Sequence, residues 1–435
     1  MNGARINTAY GTKEEYSLTI NRLRGIGEIP IVLDIKGPEL RIKTSSEIAL
    51  KNGEILKIGK NEQVALNHNV YSELAVGDMV LIDNGRINTR VIQKDNAVLT
   101  LLAKTSGYIS DGKGVNIPDK KLAIPAITKK DQELMDFAKD NEIEFVALSF
   151  TRNAHDVNCL RKSVSGGFKG LIIAKIENSE GVENFQEILE VADGIMVARG
   201  DLGVEIEPEK VPLVQKRIIK QCNQKGKLVL TATEMLESMM YNPFPNRAEV
   251  SDVANAILDG TDVITLSGET AVGKYPLETV IAASKIAIET EKAVESHLRE
   301  ESFVNISNTI SKAISRLCQE MPIDKVVTLT RSGYTARMIS RFKIPQPIIA
   351  VTPSRLVKKQ LELSFGVYPV HIDYTEAQDH ILCSGLKLHS NGLILDQDTI
   401  LFTAAVRTHK KHSSNLIEIH KVSELKTQEK AWSNN

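Results

Sequence analysis

The sequence predicts an α/β protein built mainly of parallel strands, with an all-β insertion and a second α/β unit behind it. Three observations carry that reading. Short apolar runs alternate with amphipathic helical segments through most of the first 300 residues. Residues 44–120 interrupt the alternation with β-like runs separated by Gly, Asn and Asp turns. From about Asn305 the alternation restarts. Repeated β-α units with right-handed crossovers close into a barrel or spread into a doubly wound sheet, and periodicity leaves both open.

In chain order, Ala4–Asn7 reads as a short strand ending in polar groups, and Tyr16–Arg24 has helical spacing. Ile29–Leu33 reads as a strand closed by the charged turn 34–41. In the insertion, residues 54–58, 79–82, 87–92 and 97–101 alternate as strands do, and a small all-β unit in a βα loop is placed to act as a lid. A helix over 131–139 leads into a strand at 145–150, followed by a helix over 154–163. Leu171–Ala174, a helical segment over 181–191 and a strand over 194–198 form a central β-α-β unit. A helix over 209–224, strand 228–232, helix 249–258, strand 263–266 and helix 277–298 follow. The count is seven strands, where a barrel normally closes with eight. The last unit reads as helices over 309–320, 334–341 and 355–363 among strands at 325–329, 348–351, 367–371, 399–403 and 415–420.

Composition excludes several classes. A chain of 435 residues exceeds one core, so two or three domains are expected. With 42% hydrophobic and 25% charged residues it reads as globular. A net charge of −1 gives no basic field for nucleic acid. No apolar run approaches membrane-spanning length and no signal sequence opens the chain, so no membrane partner is expected. The four cysteines are dispersed, as reduced thiols in a cytoplasmic protein are. There is no P-loop motif, and no G-x-G-x-x-G follows a strand.

The chemistry concentrates where strands end. Side chains alternate along a strand, so Lys175 and Glu177 share a face while Ile176 points away. The next strand ends in Arg199-Gly200-Asp201. Two carboxylates, Glu177 and Asp201, beside the Lys175 ammonium suit a hard divalent cation and a centre of developing anionic charge. A self-satisfied ion pair is the plainer account of Lys175 and Glu177 taken alone. Arg5 and Asn7 share a face at the end of the first strand, as phosphate recognition would use them. Asp34, Lys36, Glu39 and Arg41 crowd the next strand end. Thr233 could bring a hydroxyl to the centre, Ser267 and Thr270 read as helix caps, and Lys113 lies where the insertion rejoins the barrel.

Together and in this order, these stretches resemble the pyruvate kinase family. The matching runs are ALSF at 147–150, AKIEN at 174–178, DGIMVARGDLGVE at 193–205, ATEMLESM at 232–239, NRAEVSDVANAILDG at 246–260 and LSGETAVGKYP at 266–276. Weaker matches are GARIN at 3–7, LDIKGPELR at 33–41, KGVNIP at 113–118, SGYTAR at 332–337 and NLIEIHKV at 415–422. The resemblance implies a TIM (β/α)8-type barrel over 1–43 and 121–300 with its first strand missing. It also implies a small β-barrel lid over 44–120, a C-terminal α/β effector domain over 301–422, and a tail over 423–435. The implied reaction moves the phosphoryl group of phosphoenolpyruvate to ADP, giving pyruvate and ATP, in a cytoplasmic homotetramer. Lys175 would stabilise the transferring group and the enolate, and Glu177 and Asp201 would hold Mg²⁺. Gly200 and Thr233 would contact substrate, with Thr233 near the proton path to the enolate carbon. Arg5 would bind the phosphoryl group, and Asn7, Arg41 and Lys113 the nucleotide. K⁺ would be held by Asn7, Asp34 and the Ile35 carbonyl.

Four departures qualify this. The chain opens at the family's second strand, and the expectation is that the coding start lies upstream. Ala9 stands where the family has a K⁺-ligating serine, which leaves that set one donor short. Glu234 replaces a glutamine. The loop that is glycine-rich in the family is basic here over 407–414, which fits either a phosphate-effector site from Thr330–Thr335, Arg407 and Lys410 or a solvated basic loop. Two rival expectations are a non-catalytic ligand-binding paralogue and a carbon–carbon bond-forming barrel. The insertion and the SGETA turn argue against the second.

Overall fold

The structure, a computed structural model, describes residues 1–37, 39–118, 120–294, 306–373, 380–405 and 414–425. Among these, seven parallel strands form one sheet: Ala4–Asn7, Ile31–Ile35, Phe145–Leu148, Leu171–Ile176, Gly194–Ala198, Leu228–Ala232 and Val263–Thr265. Their order in the sheet follows the chain, without the reversal that defines a doubly wound sheet. The sheet curls into a near-closed barrel. Among the described residues its edge strands, Ala4–Asn7 and Val263–Thr265, do not pair with each other.

Alternation along the strands sorts side chains into two cores. Val32, Phe145, Ala147, Ile173, Met196, Leu228, Leu230 and Ala232 fill the barrel interior. Their neighbours Ile31, Leu33, Ile35, Val146, Leu148, Ile172 and Ala174 face the outer helices. Burial on both faces explains why these strands read as unbroken apolar runs. Each fully buried Ile, Leu or Phe contributes roughly 1.5–3 kcal/mol.

The outer helices start at well-made caps. Thr12, Thr128 and Asn246 each form a reciprocal capping box, with Glu15, Asp131 and Glu249 respectively. Helices Val211–Lys225 and Arg247–Asp259 stop at Gly226 and Gly260, both in the left-handed region. The segment predicted as one helix over 181–191 is two, Ser179–Glu183 and Phe185–Val191. Asn184 separates them and donates its side-chain amide to the Arg152 carbonyl at 3.0 Å. Arg199–Glu205, read only as a strand end, is a short helix. The long helix predicted over 277–298 is Pro276–Glu291, and residues 295–298 lie outside the described residues.

The insertion folds as an antiparallel-rich sheet over Ile42–Thr44, Ile55–Gly59, Val64–Leu66, Met79–Ile82, Ile87–Asp95, Val98–Ala103 and Val115–Asn116. A separate pair joins Ile48–Leu50 to Gly107–Ile109. Its own core includes Ile42, Ile58, Val91 and Leu101.

The C-terminal unit carries five strands: Lys325–Leu329, Ile348–Thr352, Val367–His371, Thr399–Ala404 and Leu416–Lys421, the last antiparallel. The helix His380–Ser390 had no counterpart in the sequence reading. Arg407 and Lys410 lie outside the described residues. This unit docks on the amino-terminal end of the barrel. Leu363 enters the interior cluster, Lys359 pairs with Glu144 at 2.9 Å, and the buried Lys343 ammonium lies 2.6 Å from Asp262. Removing one partner of a buried pair leaves the other without its counter-charge. Lys343→Met is therefore expected to cost about 3–5 kcal/mol. The measurement is the urea midpoint, and adding Asp262→Asn should recover part of the loss. An unchanged midpoint in Lys343→Met would show that the interface does not depend on this pair.

Candidate active site

Each of the seven barrel strands delivers a polar group at its carboxyl end. Arg5 comes from the first, Asp34 from the second and Ser149 just after the third. Lys175 and Glu177 follow from the fourth, Arg199 to Asp201 from the fifth, Thr233 from the sixth and Ser267 from the seventh. Chemistry in parallel barrels sits at this end.

Asp34 is the hub. Its carboxylate accepts from Arg5 Nε at 2.6 Å and from Ser149 Oγ at 3.0 Å, and lies 3.2 Å from Lys175 Nζ. Burial alone would push this carboxyl up, but the charges of Lys175 and Arg5 outweigh it and hold it below the usual range. Lys175 also contacts Glu177 Oε1 at 2.8 Å and donates to Ser149 Oγ at 2.8 Å. Burial opposes its charge, but Asp34 and Glu177 win, and the ammonium is held above its ordinary value. Glu177 Oε2 accepts the Phe150 N–H at 2.7 Å, and Phe150 is in the left-handed region at φ 52°. Beside it, Gly37 is also left-handed at φ 61°, and a Cβ there would meet the Ser149 carbonyl at 2.5 Å. Only glycine lets the two loops approach so closely.

Asp201 completes the acidic side. Burial first, then the Glu177 charge, raise its carboxyl to about 7 against the pull of Lys175. Glu39, on the segment that leads into the insertion, raises it further. Arg5, Lys175, Asp34, Glu177 and Asp201 thus set two cations against three carboxylates. Once Asp201 ionises, the cluster is one charge negative. A hard divalent cation fits that deficit and that all-oxygen donor pair, since Mg²⁺ commonly binds through one or two carboxylates plus water and substrate phosphate. Among the described residues no group of three or more His, Cys, Asp or Glu side chains is placed to enclose a metal.

Thr233 closes the site on the other side. It and Glu234 are both left-handed, at φ 66° and 53°, a backbone costing about 1–3 kcal/mol per residue unless its surroundings hold it. Thr233 Oγ1 accepts the Gly200 N–H at 2.8 Å and donates to the Ala232 carbonyl at 2.6 Å. Arg5 Nη1 donates to Ser267 Oγ at 3.1 Å. Ser267 therefore holds the arginine and does not cap its helix as expected. Glu269 takes over locally, accepting the Ser267 N–H at 2.7 Å.

The remaining expected residues sit further out. Asn7 is exposed, and its Oδ1 accepts the Ala9 N–H at 3.0 Å. The Ile35 carbonyl accepts the Ser149 N–H at 3.1 Å. Arg41 is held by Glu39 at 2.7 Å and donates to the Gly112 carbonyl. Lys113 pairs with Asp83 at 2.8 Å. Two residues were given no role from the sequence: Ser149, a single serine behind an apolar run, and Arg199, whose partners lie 16 to 53 positions away.

The fold and the site define a class: a barrel enzyme that handles anionic groups between fixed cations and carboxylates, with an inserted unit at its mouth. Comparison with known proteins is specific. A family model described as "Pyruvate kinase, barrel domain" matches residues 1–280, and "Pyruvate kinase, alpha/beta domain" matches 308–420. The chain is 40% identical to the pyruvate kinase of Sporosarcina psychrophila, covering 98% of this chain and 77% of that one. It is 39% identical to that of Geobacillus stearothermophilus over 98% and 76%. It is 37% identical to that of Clostridium acetobutylicum over 97% and 94%. The chain belongs to the pyruvate kinase family.

The Asp201 shift has a pH consequence opposite to that of an ordinary paired carboxylate. Its folded value lies above its unfolded one, so the native state binds more protons between about 4 and 7. Its contribution is fully present below the unfolded value and is lost as pH rises through about 7. In the presence of chelator, the thermal midpoint of the wild type relative to Asp201→Asn should fall between pH 5 and 8. A flat difference would show that Asp201 titrates normally.

Proposed function

We propose that Lys175, Glu177, Asp201, Arg5, Gly200 and Thr233 form the catalytic centre of a phosphoryl transfer. The observation that carries the reading is the buried Lys175 ammonium, 2.8 Å from Glu177 and 3.2 Å from Asp34, whose charge also acts on Asp201. The chain is a phosphotransferase, a glycolytic pyruvate kinase that transfers the phosphoryl group of phosphoenolpyruvate to ADP.

Phosphoryl transfer asks for positioning and neutralisation more than for a covalent nucleophile. Lys175 meets the charge on the transferring group and on the enolate oxygen left behind. It is fixed by three partners, so it needs little reorganisation when that charge develops. Arg5, steadied by Asp34 and Ser267, presents a guanidinium to phosphoryl oxygens. The Gly200 N–H and the Thr233 hydroxyl, now bonded to each other, turn to the substrate, and Thr233 lies on the proton path to the enolate carbon. Arg41, Lys113 and Asn7 take the nucleotide, exchanging contacts with Glu39, Asp83 and Ala9 for phosphate. The insertion excludes water that would otherwise accept the phosphoryl group.

Glu177 and Asp201 would hold Mg²⁺, which when bound supplies charge neutralisation across the donor and acceptor phosphates. A K⁺ set would draw on Asn7, Asp34 and Ile35. The Asp34 carboxylate already serves Arg5, Lys175 and Ser149, and Ala9 offers only a methyl group. The reading is therefore of weak K⁺ activation. We further propose a homotetramer in the cytoplasm, with the C-terminal unit as an effector domain. Among the described residues no helix is long and apolar enough to cross a membrane.

Two measurements test this. In a coupled assay of ADP-dependent pyruvate release, Lys175→Met should lower kcat by about 10³-fold, the order seen when a preorganised charge or donor is lost. Mg²⁺ binding should persist in that variant, and substantial turnover would contradict the role given to Lys175. Ala9→Ser should increase activation by K⁺ several-fold. Equal K⁺ response in both proteins would remove the reading of a donor-poor site.

A further inference from the structure

The bonding of Arg199 reaches beyond the reaction as outlined. It starts the short helix that carries Gly200 and Asp201, and its side chain is only 9% exposed. It crosses to the next strand end, where Nη2 donates to the carbonyls of Thr233 and Glu234, each at 2.9 Å. Nε adds a longer contact to the Thr233 carbonyl at 3.3 Å. Nη1 rests on both oxygens of Asp252, at 2.7 and 2.8 Å, with Gln215 Oε1 at 3.4 Å.

The geometry has a reason. Two successive left-handed residues turn both carbonyls to one side, and a planar donor fork can serve both while keeping a third edge for a carboxylate. A lysine ammonium has no such plane. The adjoining Gly200 N–H meets the Thr233 hydroxyl at 2.8 Å. Two consecutive residues of one helix therefore hold Thr233 from its carbonyl and its hydroxyl, and Asp201 is the next residue along. Asp252, Gln215 and Glu234 line a cleft of about 580 Å³ between the helices Val211–Lys225 and Arg247–Asp259.

We propose that Arg199 is a positioning residue. Anchored by Asp252, it fixes the Thr233 hydroxyl relative to Gly200 and Asp201, and so sets the distance between the hydroxyl and the acidic side of the site. This rests on the role proposed above for Thr233. It touches no reacting atom itself, and its effect on rate passes through that hydroxyl.

The test is a kinetic cycle on the full-length enzyme with phosphoenolpyruvate, ADP and Mg²⁺. Arg199→Lys keeps the charge and loses the fork. It should lower kcat by about 10²-fold, within the range for a misplaced proton-transfer group, and leave KM for phosphoenolpyruvate within about threefold. Thr233→Ala should lose a similar factor. The double variant should be no more than about threefold slower than the slower single variant, because residues that act as a unit are not additive. Asp252→Asn loosens the anchor from its half-exposed side. It should cost about tenfold in kcat and show the same non-additivity with Thr233→Ala, and it carries the cycle if Arg199→Lys does not fold. Multiplying losses would overturn the proposal, as would a near-normal kcat in Arg199→Lys beside a slow Thr233→Ala. A normal kcat in Thr233→Ala would remove the proposal together with the role of Thr233, while Lys175→Met judges the wider reading separately.

Discussion

The Asp34 carboxylate is the constraint on which the site depends. It is buried, it lies near the carboxyl end of the second barrel strand, and it joins Arg5, Lys175 and Ser149 from three other strand ends. Cations buried at a barrel mouth would repel one another and lose hydration. One carboxylate between them turns that cost into a fixed geometry. The same carboxylate, together with Glu177, keeps Lys175 charged despite its burial. Structure and chemistry thus share one requirement, a negative charge that cannot move.

The acidic side follows a different logic. Glu177 is spoken for by Lys175 and the Phe150 N–H, so its position is settled before any ligand arrives. Asp201 lacks comparable compensation and retains its proton to near neutrality. That asymmetry suits a site in which one carboxylate is preset and the other ionises fully only when positive charge is supplied. With Asp201 protonated the five groups balance, and its ionisation leaves the cluster one charge negative, so added positive charge and the ionisation of Asp201 favour each other.

Much of this was legible because strands buried on both faces leave apolar runs, and because side chains alternate. Period two placed Lys175 and Glu177 on one face, and they meet at 2.8 Å. Alternation could not supply partners distant in sequence. Asp34 and Lys175 are 141 positions apart, and Arg5 and Ser267 are 262 apart. Ser267 looked like a cap because serine at a helix start usually is one, yet a tertiary contact claimed its hydroxyl. Seven residues with two glycines gave Arg199–Glu205 no helical period to read. The break at Asn184 depends on a carbonyl 32 positions earlier. The family resemblance implied roles for Arg5, Asp34, Lys175, Gly200 and Asp201, but not the contacts that hold them.

The C-terminal unit is tied to the same architecture from below. Leu363 belongs to the barrel interior as much as Phe145 does, so separating the two units would expose apolar surface on both. Lys343 reaches Asp262, whose other oxygen accepts the Val229 N–H at 2.9 Å. Asp262 immediately precedes the strand Val263–Thr265, and two residues beyond that strand Ser267 holds Arg5. A single short strand thus has one end fixed by the C-terminal unit and the other against the Arg5 guanidinium. A strand of three residues has little slack to absorb a shift at either end. The docking of the C-terminal unit and the placement of Arg5 are therefore parts of one mechanical problem.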